Sequence, residues 1–134
     1  MTRGQARALE LGWSEYCLSS AAGTLDLKAV FGRLAPTVLE IGFGMGDSLA
    51  AQAKSSPEKN FIGVEVHKPG VGHLLMQALE KELTNLLVYN EDSRDVLSRA
   101  IPASSLQAVQ IFFPDPWPKK RHHKRRLLGP GFLD

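Results

Sequence analysis

The sequence predicts an α/β fold, a doubly wound and mainly parallel sheet, on three observations. Four short apolar runs rich in β-branched and aromatic residues recur along the chain, helix-patterned stretches separate them, and an acidic residue sits in or near the carboxyl end of each run. Continuous apolar runs of this length read as strands buried on both faces. Their alternation with helices over short connections implies right-handed crossovers and a parallel sheet.

The elements follow in order. Residues 1–35 read as a helical lead-in of one or two helices, in which Trp13 and Tyr16 serve packing; residues 36–134 read as a partial α/β domain. The strands are "TVLEIGFG" (37–44), "FIGVEV" (61–66), "NLLVYNED" (85–92) and "VQIFFPD" (109–115). "GDSLAAQAKSS" is a helix opened by a cap at Asp47 or Ser48 and closed before Pro57. "GVGHLLMQALEKEL" places Leu74, Leu75, Ala78 and Leu79 on one helical face, and "SRDVLSRAIP" is a helix that ends at a proline.

At 134 residues the chain accommodates one domain with a real core. Its 43% hydrophobic and 22% charged residues are those of a globular protein, and no apolar run approaches the ~20 residues of a membrane span. The polar start "MTRGQARALELGW" lacks the apolar segment of a secretory signal, so a cytoplasmic location is expected. The single cysteine, Cys17, leaves no partner for an internal disulfide and no Cys-rich zinc site.

The net charge of +2 hides an asymmetry. Residues 119–126 hold six of the sixteen Lys and Arg and no acid, which leaves ten cations against fourteen acids elsewhere. A mildly acidic body with one basic stripe is the electrostatic footprint of a polyanion binder.

The four acids are Glu40, Glu65, Asp92 and Asp115, separated by 25, 27 and 23 residues, about one strand and one crossover each. Ligands of open α/β sheets bind outside the carboxyl ends of the strands, so the four carboxylates are expected to converge on one cleft. "LEIGFGMGDS" runs a strand into a glycine turn built on Gly42, Gly44 and Gly46, but Asp47 stands where a dinucleotide fingerprint needs its third glycine. Acids at Glu40 and Asp47 also oppose a pyrophosphate. A cofactor that carries a cation and a ribose but no phosphate suits these groups, and S-adenosylmethionine is such a molecule. Glu65, 19 residues beyond Gly46, is placed to accept from a ribose diol, and Asp92 from an adenine amino group. Glu40 is placed to organise the loop or to face the methionine part.

In "FFPDPWPKKRHHKRR" (112–126), Pro114 and Pro116 fix the backbone on both sides of Asp115, giving a stiff corner that aims one carboxylate beside Trp117. These motifs carry a resemblance. With "LEIGFGMG", "GVEVHKPGV", the acid of "NED" and above all "PDPW" followed by "KRR", the chain resembles the bacterial TrmB-type tRNA (guanine-N7-)-methyltransferases from about "TRGQARALE" to its end.

The resemblance implies a Rossmann-like S-adenosylmethionine-dependent methyltransferase fold with its first four strands present and tRNA as the partner. It implies that Glu40, Glu65 and Asp92 bind the cofactor and that Asp115 is the active-site residue and also borders the cofactor. Lys119 would contact substrate, and Arg121, His122, His123, Lys124, Arg125 and Arg126 would touch tRNA. His122 and His123 add donors to phosphate; no third ligand stands at a metal-binding spacing, so no metal is expected.

Relatives of this type continue well beyond "LLGPGFLD", so the resemblance implies a chain truncated at its carboxyl end, without the later strands of a seven-stranded sheet. The fourth predicted strand would then be an unpaired edge, through which a monomer could become a weak homo-oligomer. Two further readings stay open: a catalytically silent remnant that binds cofactor or RNA, and an amino-methyltransferase that uses the Asp-Pro-aromatic corner on an exocyclic amine.

Overall fold

A computed structural model describes residues 2–102, 104–112 and the backbone of 120–124. Six strands form one sheet: β1 Cys17–Leu18, β2 Thr37–Ile41, β3 Asn60–Val64, β4 Leu86–Tyr89, β5 Ala108–Phe112 and β6 Lys120–Lys124. Their order is β1-β4-β3-β2-β5-β6, parallel throughout except for the antiparallel β5–β6 pair. After the edge strand β1 the chain passes to β2, winds outward through β3 to β4 beside β1, and then crosses to β5 on the other side of β2. That reversal places the switch point between β2 and β5, where open α/β sheets bind ligands.

Alternation along the strands builds two cores. Val38, Phe61, Leu86 and Val88 face helices α1 (Arg3–Tyr16), α3 (Asp47–Ser55) and α4 (Lys68–Glu80), while Leu39, Ile62, Tyr89 and Val109 pack with α5 (Ser93–Arg99) and the short α2 (Leu27–Phe31). Both sets are buried, which is why the strands read as continuous apolar runs rather than as alternating ones.

The structure changes several expectations. The lead-in adds a strand as well as helices: Cys17 and Leu18 pair with Val88 and Tyr89, too short a segment to leave a periodic signal. Tyr16 is a packing residue whose hydroxyl donates to the carbonyls of Ala78 (3.2 Å) and Leu83 (2.8 Å). Trp13 remains 38% exposed, with the Lys68 ammonium 5.8 Å from its ring centroid.

The cap of α3 is Gly46 at φ 81°, and no side chain caps it; Asp47 turns instead toward α4, accepting from Gln77 Nε2 at 3.0 Å with His73 Nε2 also at 3.0 Å. Helix α4 begins at Lys68, with Pro69 in its first turn, where a missing N–H costs nothing. Finally, β5 is not an unpaired edge. The basic run returns as β6, setting Arg121, His122, His123 and Lys124 opposite Ile111, Gln110, Val109 and Ala108 and supplying the ladder partners that β5 would otherwise lack.

Among the described residues no helix is long and apolar enough to cross a membrane.

Candidate functional site

At the carboxyl ends of the parallel strands lies a pocket of about 170 Å³. Ile41 and Gly42 at the end of β2, Val64, Glu65 and Val66 at the end of β3, and Glu91, Asp92 and Ser93 after β4 line it. Each segment leaves the sheet in register: the Gly42 N–H donates to Val64 O (2.8 Å) and the Glu65 N–H to Tyr89 O (3.0 Å), so the ladder itself sets the three lips of the pocket at one height.

The first lip is the glycine loop. Gly42, Gly44 and Gly46 adopt φ of 68°, 67° and 81°, left-handed values that L side chains rarely take, and this repeated reversal folds the backbone between β2 and α3. Helix α4 presses on this loop closely enough that a Cβ on Gly70 would stand 2.0 Å from the Gly44 carbonyl oxygen. At Gly42 an added Cβ would meet nothing within 4 Å, so the loop's first glycine faces open space at the pocket.

Glu65 organises the second lip. Its Oε1 accepts the Gly44 N–H at 2.7 Å and its Oε2 the His67 N–H at 3.0 Å. A carboxylate offers about four lone-pair sites, so two remain, one on each oxygen.

The third lip is the run Asn90–Glu91–Asp92, whose side chains anchor in three directions. Asn90 Nδ2 donates to the carbonyls of Glu65 (2.8 Å) and Val66 (3.1 Å). Glu91 accepts from the N–H of Ser20 at 2.8 Å and from its hydroxyl. Asp92 caps α5 through the Arg94 N–H (2.8 Å), and the Arg94 guanidinium donates to both of its oxygens at 3.2–3.3 Å. Hydrogen bonds from the Arg94 side chain and backbone hold the Asp92 carboxyl below its usual range. The carboxylates of Glu65 and Asp92 therefore border one small cleft, with Glu91 in its wall and Arg94 paired to Asp92, a set of acids that favours a cationic ligand over a phosphate.

Of the predicted site residues, the structure brings Gly42, Glu65 and Asp92 together in the pocket wall and places Gly44 and Gly46 in the loop beside it. Glu40 is the penultimate residue of β2, near its carboxyl end as expected, fully buried between Gly63 and Gln110 in the ladder and not among the described residues that line the pocket. Arg121, His122, His123 and Lys124 lie on β6. Asp115, Lys119, Arg125 and Arg126 lie outside the described residues.

Glu91, Ser93 and the 67% exposed Val66 line the pocket and were not singled out by the sequence reasoning. The tripeptide "NED" held a signal in its two adjacent acids, but spacing alone cannot say which acid faces the cleft.

Comparison with known proteins gives this pocket a context. A family model described as "Putative methyltransferase" matches residues 34–134. The chain is 55% identical over all 134 residues to the tRNA (guanine-N(7)-)-methyltransferase of Chromohalobacter salexigens and 53% identical over the same length to that of Nitrosococcus oceani. It covers 54% and 57% of those proteins, so the chain spans little more than half the length of these curated relatives. Among solved structures, the 16S rRNA methyltransferase KamB superposes with a TM-score of 0.54 at 19% identity, over 69% of this chain and 44% of its own. An antibiotic-related methyltransferase superposes at 0.52 and 16%, over 75% and 49%. At such identities these two similarities speak to the fold, which is the Rossmann-like methyltransferase architecture.

Proposed function

Because this chain belongs to the family described as "Putative methyltransferase", matched over residues 34–134, we propose that its pocket binds S-adenosylmethionine and that it serves methyl transfer to N7 of a guanine in tRNA. The observation that carries the reading is the identity of 53–55% along the whole chain to proteins named for that reaction.

The residues present fit the cofactor. Glu65 keeps two acceptor sites, the number a ribose diol requires, while its other two hold the glycine loop in place. The bonds from Arg94 occupy three of the four sites of Asp92, leaving one for an amino group. The open space at Gly42 admits a ligand against the loop backbone.

When bound, S-adenosylmethionine supplies an electrophilic methyl group on a sulfonium. Guanine N7 presents an in-plane lone pair and carries no proton, so the attack needs no general base to begin. The protein's part is to hold its donors and acceptors in a fixed arrangement, which converts an encounter in solution into an oriented one. In this reading Asp115 orients the guanine through its N–H edge or offsets the positive charge growing on the ring. Lys119 and the stretch from Arg121 to Arg126 hold the phosphates of the tRNA.

The test joins calorimetric binding of S-adenosylmethionine with transfer of labelled methyl to unmodified tRNA and nucleoside analysis. The expected outcome is binding that Glu65→Ala weakens by about 10²-fold, from the loss of two charge-assisted hydrogen bonds of about 1.5 kcal/mol each, and label recovered as 7-methylguanosine. Absence of cofactor binding overturns the cofactor; label in another nucleoside overturns the substrate.

A further inference from the structure

Glu91 lines the pocket, yet both of its oxygens are turned away to a residue 71 positions earlier in the chain. Its partner, Ser20, is 2% exposed and opens the 3₁₀ turn Ser20–Ala22. The register explains the meeting. Leu18 pairs with Tyr89, and continuing the two parallel strands by two residues brings Ser20 alongside Glu91 just past the end of the ladder. There the Glu91 carboxylate takes the Ser20 amide in place of a backbone carbonyl, and the hydroxyl with it.

The contact bears on the ligand site through its neighbours in sequence. Asn90 fastens the same tripeptide to the end of β3, and Asp92 fastens it to α5. The 3₁₀ turn packs on α5, and the Leu25 N–H donates to Ala100 O at 2.7 Å. The third lip of the pocket is thus clamped between β3 and the amino-terminal segment, with Glu91 as the second jaw.

We propose that Glu91 is a positioning residue for the ligand pocket: by latching Ser20 it fixes the Asn90–Glu91–Asp92 lip, and it sets cofactor affinity through that latch rather than by touching the cofactor. This rests on the reading that the pocket binds S-adenosylmethionine. Charge-assisted bonds from an amide and a hydroxyl are strong for their size, and a carboxylate so engaged holds its own backbone in place. A lip that is not held must be ordered at the moment of binding, which reduces apparent affinity.

The latch and a direct contact with a cationic ligand predict different mutant patterns. Calorimetry with S-adenosylmethionine on the full chain, at a concentration where every variant is folded by circular dichroism, compares wild type, Glu91→Ala, Glu91→Gln, Ser20→Ala and the Glu91→Ala/Ser20→Ala double variant. The latch requires that Glu91→Ala raise Kd about tenfold and that Glu91→Gln, which still accepts the Ser20 N–H, stay within about threefold of wild type. The double variant must be no worse than Glu91→Ala alone. Faster hydrogen exchange at the Ser20 amide in Glu91→Ala is the matching signature.

If Glu91→Gln binds as weakly as Glu91→Ala and Ser20→Ala is silent, the carboxylate acts by charge on the ligand and the latch is overturned. An unchanged Kd in Glu91→Ala overturns it as well. Should Glu91→Ala not fold, Ser20→Ala decides: a Kd raised about threefold supports the latch and an unchanged Kd overturns it. A wild-type chain that binds no cofactor overturns the functional reading itself and this inference with it, whereas wild-type binding unaffected by Glu91 variants removes this inference alone.

Discussion

Tyr89 shows how a single side chain is held at odds with its surroundings. It ends β4 fully buried among Leu39, Ile62, Val64 and Val109, and its hydroxyl has no hydrogen-bond partner among the described residues. Burial, and then the negative charge of Glu91, push that hydroxyl up to about 12. A buried polar group left unsatisfied costs about 1–3 kcal/mol, whereas the phenyl ring without it loses nothing in packing. Tyr89→Phe is therefore expected to stabilise the fold by about 1 kcal/mol, read as a rise of roughly 3–5 °C in thermal midpoint; a lower midpoint would show that the hydroxyl has a partner. In the sequence Tyr89 is one aromatic in the run "LLVY", and nothing there separates a satisfied phenol from an orphaned one, because satisfaction depends on which atoms the other elements bring to it. Asp92 was legible for the opposite reason. Its spacing from Glu65 marks it as an acid at a strand end, where it becomes both the cap of α5 and part of the pocket wall.

Helix α4 and the glycine loop are the pair of elements on which the site depends. The loop can bend because of its glycines, but its position is decided by Gly70, where α4 closes onto the Gly44 carbonyl. A methyl group there requires a shift of more than an ångström, at a cost of about 1–3 kcal/mol. Alanine's better helix propensity returns less than about 1 kcal/mol. Gly70→Ala is accordingly expected to lower the urea midpoint despite removing a helical glycine, and to weaken ligand binding by moving the Gly44 N–H off Glu65; a raised midpoint would mean that the contact relaxes without strain. The sequence announced the glycines of the loop through their spacing. It gave no such notice of Gly70, since only the packing of a helix on a loop makes that position special.

At the scale of the whole molecule, stability should fall in alkali. Burial raises Cys17 from 9.0 to about 12, and burial aided by Glu15 raises Tyr16. Together with Tyr89 these groups keep their protons in the folded state over a range in which the unfolded chain releases them. The folded state then binds more protons, so unfolding becomes easier as pH rises from about 9 toward 12, while below 9 the groups contribute full stability. Urea midpoints are expected to hold between pH 7 and 8.5 and to decline from pH 9 to 11, less steeply in Cys17→Ala; a flat profile would refute the assignment. The amino-acid sequence by itself determined the α/β alternation, the two-sided burial of four strands, the glycine turn and the identities of Glu65 and Asp92, because periodicity, turn chemistry and caps act over a few residues. Tertiary structure alone decided that Cys17 and Leu18 join the sheet, that the basic run returns as β6, that Glu40 is fully buried, and that Glu91 reaches back to Ser20. The pairings of Cys17 with Val88 and of Ser20 with Glu91 are meetings of segments distant in sequence, fixed by strand order and register, and no local pattern encodes which strands become neighbours.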